Sequence, residues 1–310
     1  MRILNFGSLN IDTVYQVEHF VRAGETLASQ HREQFPGGKG LNQSLALAKA
    51  GANVFHAGKI GADGIFLKEL LEQWGINTDF IQICDDLPSG HAVIQVTPKG
   101  ENGILLFHGA NGSITEQMIQ QVLEPFGPGD WLLLQNEING LPQLLRFAHE
   151  KGLQIALNPS PITDTVRNAA LELTDCLIFN EIEGQELSGV STPTEILTRL
   201  HRDLQIPTLL LTLGKDGAIL SEKGKQTFQP IFSVPTVDTT AAGDTFTGYF
   251  LANYINHLSP DFCLETAAVA AALAVSRKGA APSIPTAKEV KEAQKQFRQQ
   301  IKSYDSDLRT

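Results

Sequence analysis

Short runs of wholly apolar residues, spaced by helical lengths, constrain this chain most. Trp131-Leu132-Leu133-Leu134 and Leu209-Leu210-Leu211 are too short for buried helices and carry no polar face. A strand that is apolar on both sides must be covered on both sides, as in a parallel sheet packed between helices. The flanking stretches repeat the pattern. Gln154–Leu157, Cys176–Phe179 and Thr208–Thr212 read as further strands, with helical periodicity over 141–151 and 193–204. Upstream, Ile3–Leu9 and Asn53–Ala57 read as strands. Leu41, Leu45 and Ala48 mark a helix that stops at Gly51, and Ile65, Leu67, Leu70, Leu71 and Trp74 mark one that stops at Gly75. Near the other end, a helix is predicted over Thr245–Tyr254, an almost pure Ala/Val helix over Ala267–Val275, and a charged surface helix over 286–303 whose end should fray. The expectation is one α/β domain over 1–310, with a central, mostly parallel sheet flanked by helices.

Two stretches break the rhythm. The segment after Asp12, to about Gln34, is polar and extended, and 79–108 holds the short pieces Phe80–Ile83, His91–Thr97 and Gly103–Phe107, separated by Pro88-Ser89-Gly90 and Pro98-Lys99-Gly100. These read as antiparallel strands with turns. Segments of about 13–35 and 89–110 are therefore expected to form a small β-sheet lid over the strand ends, where open α/β sheets bind ligands.

The charge balance narrows the partners. A net charge of −10 without a Lys/Arg cluster argues against nucleic acid and against an anionic membrane surface. It leaves room for a nucleotide, because backbone amides and helix ends bind phosphate within an acidic protein. Cys84, Cys176 and Cys263 lie far apart with no C-x-x-C pair, so reduced thiols are expected. The first residues become polar too soon for a secretory leader, and no apolar run approaches the ~18 residues of a membrane span. A cytoplasmic protein is expected.

The chemistry concentrates after strands and at helix starts. In Val237-Asp238-Thr239-Thr240-Ala241-Ala242-Gly243-Asp244-Thr245-Phe246, small residues precede a helix whose first amides face outward. Such a turn binds anions, and a carboxylate at its mouth, Asp244, can take a proton from an attacking hydroxyl. The same residues also suit a plain helix cap. Asn10 and Asp12 follow the first strand, and Gly37-Gly38-Lys39-Gly40-Leu41-Asn42 sets a glycine-rich turn and two polar groups at a helix start. Asn180-Glu181-Ile182-Glu183 follows a buried strand, and Thr212-Leu213-Gly214-Lys215-Asp216-Gly217 turns between two strands. Each of these alone reads equally as a turn or cap. No Walker-type G-x-x-x-x-G-K-[ST] and no zinc-ligand spacing is present.

Together these segments resemble the ribokinase (PfkB-type carbohydrate kinase) family along essentially the whole chain. Gly7-Ser8-Leu9-Asn10-Ile11-Asp12, Gly37-Gly38-Lys39-Gly40 and Asp238–Asp244 are similar to its two signature regions. Leu157-Asn158-Pro159-Ser160-Pro161, Asn180-x-x-Glu183 and Arg277-Lys278-Gly279-Ala280 to Ser283 resemble its linking motifs. The resemblance implies a ribokinase-like fold and an ATP-dependent kinase acting on the 5-hydroxyl of D-ribose. It implies Asp244 as general base, with the amides of Ala242, Gly243 and Asp244 as anion hole. It assigns Asn10, Asp12, Gly38, Lys39, Asn42 and Glu137 to the sugar. Asn180, Thr212, Gly214, Lys215, Asp216, Gly217 and Gly243 fall to the nucleotide, and Glu183 to Mg²⁺ through water. Asp238, Thr240, Ala274, Arg277, Gly279 and Ser283 match the family's monovalent-cation loop, usually occupied by K⁺.

The chain departs from the family at Ala268, where a His or Asn is common, at Phe179 in place of Pro, and in a shortened His108-Gly109-Ala110-Asn111. Related readings are a kinase of fructose, of 2-keto-3-deoxygluconate (with Arg22 or Arg32 for the carboxylate) or of a nucleoside. A non-catalytic sugar sensor is the reading from another class. A homodimer through the lid is expected, since a lid exposes edge strands.

Overall fold

The computed structural model describes residues 1–307, with side chains through Arg298. In chain order the strands and helices begin with β1 (Arg2–Phe6), β2 (Asn10–Gln16), β3 (His31–Gly37), α1 (Lys39–Lys49), β4 (Asn53–Gly61), α2 (Ile65–Gln73) and β5 (Asn77–Cys84). Next come β6 (Gly90–Val96), β7 (Asn102–Phe107), α3 (Glu116–Leu123), β8 (Trp131–Gln135), α4 (Leu141–Glu150), β9 (Gln154–Asn158), α5 (Asp164–Arg167) and β10 (Cys176–Asn180). The remainder is α6 (Glu181–Ser188), α7 (Pro193–Leu204), β11 (Thr208–Thr212), β12 (Ala218–Glu222), β13 (Lys225–Gln229), α8 (Ala242–Tyr254), α9 (Pro260–Val275) and α10 (Ala287–Asp307).

The large sheet has the order β13-β12-β11-β10-β9-β8-β1-β4-β5. It is parallel from β5 to β11 and closes on the antiparallel hairpin β12–β13. Its strands feed both faces alternately. Ile3, Trp131, Leu133, Ala156, Ile178 and Leu210 enter the core under α1, α8 and α9, while Leu4, Leu132, Leu134, Leu157, Leu177 and Leu211 enter the core under α3, α4 and α7. That alternation is why the runs read from the sequence carry no polar face.

The small sheet is β3-β2-β6-β7. β2 begins at Asn10, so Asn10 and Asp12 stand on this sheet itself and not in a turn before it. The sequence expectation for Phe80–Ile83 requires correction: it lies in β5, parallel to β4 in the large sheet. The intervening α2 returns the chain in the same direction, as a β-α-β crossover does, whereas antiparallel partners are joined by tight turns. For the same reason β6 pairs parallel with β2, because both strands leave the large sheet across one edge. Helix α3 was not legible; Met118, Ile119, Val122 and Leu123 face inward, but its polar positions and short length hid the period. Among the described residues no helix is long and apolar enough to cross a membrane.

Candidate active site

Helix α8 starts abruptly. Ala241, its N-cap, holds the left-handed conformation at φ 59, unusual for a residue with a Cβ and a sign of local strain. Thr245 N donates to Ala241 O, and Ala242 N donates to Thr239 O. The Ala242 amide is therefore engaged, which narrows the anticipated anion hole. Among the described residues the amides of Gly243 and Asp244 have no acceptor. Beyond its own turn nothing lies within 4 Å of where a Gly243 Cβ would stand, and Gly243 lines two cavities, so the approach to this turn is open. A helix of 13 residues places its positive end there.

The Asp244 carboxylate is buried and points toward α1. Its Oδ2 accepts from Asn42 Nδ2 at 3.0 Å, and its Oδ1 accepts from Gln43 Nε2 at 2.9 Å. Helix α1 can come this close because its first turn touches the β1–β2 crossover: Leu41 N donates to Ser8 O at 2.9 Å and Gly40 N to Ser8 Oγ at 3.2 Å. Glu137, just past β8, accepts from Ser8 Oγ at 2.5 Å and from Lys39 N at 2.9 Å, which latches the glycine turn to the sheet edge. The Lys39 ammonium is the cation of this cluster. Burial would lower its pKa, but the carboxylates of Asp244, Glu137 and Glu183 outweigh that and raise it. Asn10 is buried, and its Oδ1 accepts from Asn111 Nδ2 at 2.7 Å. Asn111, in the stretch read as shortened, also bridges Leu9 N and O, so it fixes the Asn10 amide.

Asp12 is pushed up to about 7, first by burial and then by the negative charges of Glu137 and Asp244. The sign follows from linkage. A carboxyl whose folded pKa exceeds its unfolded value of 3.8 contributes stability fully below that value, and this is lost as the pH rises through about 7. Replacing Asp12 by asparagine removes the cost of the charge. Asp12→Asn should therefore raise the stability of the ligand-free protein at pH 8 by a few kcal/mol, and urea melts should show the gain fading toward pH 4.

Two adjoining cavities open at the α8 N-terminus. The smaller, ≈ 240 Å³, is polar and is lined by Lys39, Asn158, Ser160, Asn180, Glu183, Gly243 and Asp244 among others. The larger, ≈ 520 Å³, is mostly apolar, with Phe232, Val234, Phe246, Ala268, Ala271 and Val275 in its walls and Thr212, Gly214, Lys215 and Gly217 at its rim. Asp216 does not line it; it is exposed, and its amide closes the turn onto Leu213 O. Gly217 is required there, because a Cβ would stand 2.9 Å from Pro230 Cα and overlap Gln229 O.

Asn180 caps α6: its Oδ1 accepts from Glu183 N, and Glu183 Oε2 accepts from Asn180 N, both at 2.9 Å. Glu183 is only 8% exposed, so it is no ordinary solvated first-turn residue, and its charge helps raise the Lys39 pKa. One buried carboxylate at the edge of a polar cavity fits outer-sphere Mg²⁺, a cation that keeps most of its waters.

The anticipated cation loop lies beside this corner. Asp238 Oδ1 accepts from Thr240 N and Oγ1, and Asp238 Oδ2 accepts from Gly279 N at 2.9 Å, which joins the two loop segments. Burial raises the Asp238 pKa, but these hydrogen bonds outweigh it and hold the carboxylate below its usual range. An ionised carboxylate that ties two loop segments together fits a hard monovalent cation. Ala274 and Ser283 are buried in the adjoining segment, and Arg277 turns away to pair with Glu289 at 2.7 Å. Arg22 and Arg32 are exposed on the small sheet's side of the molecule. Sequence reasoning passed over Gln43, Asn111, Asn158 and Ser160 as site residues; Asn158 and Ser160 were visible only as part of a linking motif.

The model of the pfkB family carbohydrate kinases matches residues 2–287. A ribokinase of Haemophilus influenzae is 37% identical over 294 residues, spanning 92% of this chain and 96% of that protein. Among solved structures, ribokinase from Cryptococcus neoformans in complex with ADP has a TM-score of 0.81 at 36% identity, covering 94% of this chain and 99% of that one. Arabidopsis thaliana ribokinase complexed with ribose and ATP has a TM-score of 0.83 at 30% identity, covering 94% and 98%. A helix N-terminus open to phosphate beside a buried carboxylate is thus found in a chain that belongs to the pfkB family of carbohydrate kinases, phosphotransferases with an alcohol group as acceptor.

Proposed function

We propose that the chain transfers the γ-phosphoryl group of ATP to the 5-hydroxyl of D-ribose. The observation that carries this is the buried Asp244 carboxylate beside the open amides of Gly243 and Asp244. Its support is the similarity to ribokinases solved with ADP and with ribose and ATP. The sugar would meet Asn10, Asp12, Gly38, Lys39, Asn42 and Glu137; the buried Asn42 Oδ1 has no partner among the described residues and would accept a sugar hydroxyl. The nucleotide base would enter the apolar cavity, against the small side chain of Ala268, with Asn180, Thr212, Gly214, Lys215, Gly217 and Gly243 along its phosphates.

Asp244 then takes the proton of the 5-hydroxyl as its oxygen attacks the γ-phosphorus and the bond to the ADP oxygen breaks. The Gly243 and Asp244 amides stabilise the charge on the transferring group. Glu183 would hold Mg²⁺ through water; when bound, the ion neutralises phosphate charge. Asp238 and Thr240, with the 274–283 segment, would hold K⁺ beside the anion hole. The β3-β2-β6-β7 sheet would act as lid of a single working unit. Exposed Ile104, Leu105 and Phe107 on its edge strand favour pairing of two copies through the lids. Three free thiols, two of them buried, favour a reducing compartment, the cytoplasm.

ADP release from purified protein with ATP and Mg²⁺ tests the reading, run against ribose, fructose, 2-keto-3-deoxygluconate and adenosine in K⁺ or Na⁺. Ribose turnover that rises with K⁺ is expected. Preference for another sugar would keep Asp244 but overturn the roles given to Asn10, Asp12 and Glu137. Silence with every acceptor would favour a sugar sensor.

A further inference from the structure

Behind Asp244 runs a line of buried amides that the reaction itself does not touch. Gln43, 1% exposed, donates to Asp244 Oδ1 and accepts from Gln135 Nε2 at 2.7 Å. Gln135 Nε2 also donates to Asn5 Oδ1 at 2.9 Å. Asn5 Nδ2 donates to Gly40 O at 2.7 Å and to Ser44 Oγ at 2.8 Å, and Ser44 Oγ bonds His56 Nδ1 at 2.7 Å. Gln135, Asn5, Ser44 and His56 are all 0% exposed.

The direction of every amide bond from Asn5 to Asp244 is determined. A backbone carbonyl only accepts, so Gly40 O fixes the Asn5 amide with its nitrogen toward α1 and its oxygen toward Gln135. Gln135 must then present its nitrogen to Asn5. The same nitrogen meets Gln43 Oε1, which turns the Gln43 nitrogen toward Asp244. A reversed amide at any link would set donor against donor or acceptor against acceptor. Burial pushes the His56 pKa down to about 3, so the far end of the line stays neutral.

The line leaves Gln135 Oε1 buried without a partner among the described residues. Buried polar atoms of this kind cost stability, so folding alone does not account for the arrangement. Asn42, the other donor to Asp244, has an unpartnered oxygen and stands where a sugar would bind. Gln43 is sealed from solvent and serves the carboxylate only.

We propose that Gln43 is a positioning residue, oriented by the buried line Gln135–Asn5–Ser44–His56, that aims the Asp244 carboxylate at the acceptor hydroxyl. This rests on the reading of Asp244 as the base. It acts through Asp244 and touches no substrate, so its signature is a loss in kcat with binding retained.

The test uses the full-length enzyme carrying Gln43→Met or Gln135→Met, the double variant, and Asp244→Asn, with ribose and ATP. Each single change should lower kcat roughly 10- to 100-fold, as small misplacements of a reacting group do, with both KM values within about twofold. The double variant should be no slower than the slower single, because both act through one bond to Asp244. Wild-type kcat in Gln43→Met, a loss confined to KM, or losses that multiply in the double variant would overturn the proposal. If Gln43→Met does not fold, Gln43→Glu keeps the shape. Its kcat relative to wild type should recover as the pH falls, since only the protonated acid can donate to Asp244; a pH-independent deficit would count against the proposal. If Asp244→Asn itself turns over at the wild-type rate, the base assignment falls first. If Asp244→Asn is inactive while the Gln43 and Gln135 variants are normal, only the positioning role falls.

Discussion

Asp244→Asn should lower kcat by about 10²–10⁴-fold, the usual worth of a positioned general base, and leave ribose and ATP binding nearly unchanged. The substitution keeps volume and rotamer while removing the proton acceptor. It also disturbs a defined pair of bonds: the carboxylate now accepts from Asn42 Nδ2 at 3.0 Å and from Gln43 Nε2 at 2.9 Å. An asparagine has one oxygen, so one of these two donors must face an NH₂ group. The expected result is therefore a large fall in kcat, a modest fall in melting temperature and little change in KM. Single-turnover assays separate chemistry from product release. Turnover within a fewfold of wild type would mean that another group takes the proton.

Gly40→Ala should be among the most damaging small changes to the fold. A Cβ on Gly40 would stand 2.5 Å from Gly7 C and 2.6 Å from Ser8 O and would overlap Ser8 N, all of them backbone atoms that cannot swing aside. The first turn of α1 would have to lift from the β1–β2 crossover, breaking the bonds from Gly40 N to Ser8 Oγ and from Leu41 N to Ser8 O. We expect a loss on the order of 3 kcal/mol in urea denaturation, as for overpacking that forces the backbone to shift. Lys39, Asn42 and Gln43 would move together, so activity should fall as well. Gly51→Ala is the control. Gly51 has φ +97 but nothing within 4 Å of a Cβ, so it suffers only left-handed backbone strain of about 1–2 kcal/mol. Equal losses in the two variants would show that the close approach of α1 to Ser8 is not what the fold depends on.

Part of the candidate site was legible in the chain as motif positions. Gly38, Lys39, Asn42, Gly243 and Asp244 could be read because each stands at a helix start with its motif intact within a few residues. The carboxylate of Glu183 could be placed after a buried strand, yet its burial could not, because that depends on the cavity wall built from β11 and α8. The Ala242 amide looked as free as its neighbours until its bond to Thr239 O appeared. Asp216 sits inside the motif yet points to solvent, because the turn has only one face toward the cavity.

The sequence by itself determined the alternation of strands and helices, the doubly covered sheet and the order of the motifs. Those properties are local periodicities, repeated every two or every 3.6 residues. Only the tertiary structure decided that Phe80–Ile83 joins the large sheet and that β2 and β6 run parallel, since pairing depends on where a crossover returns. It alone brought Gln135 to Gln43 and to Asn5, across sequence separations of 92 and 130 residues. A polar side chain within an apolar strand reads as an exception until its partner arrives from elsewhere in the fold, and burial without that partner would be too costly to keep.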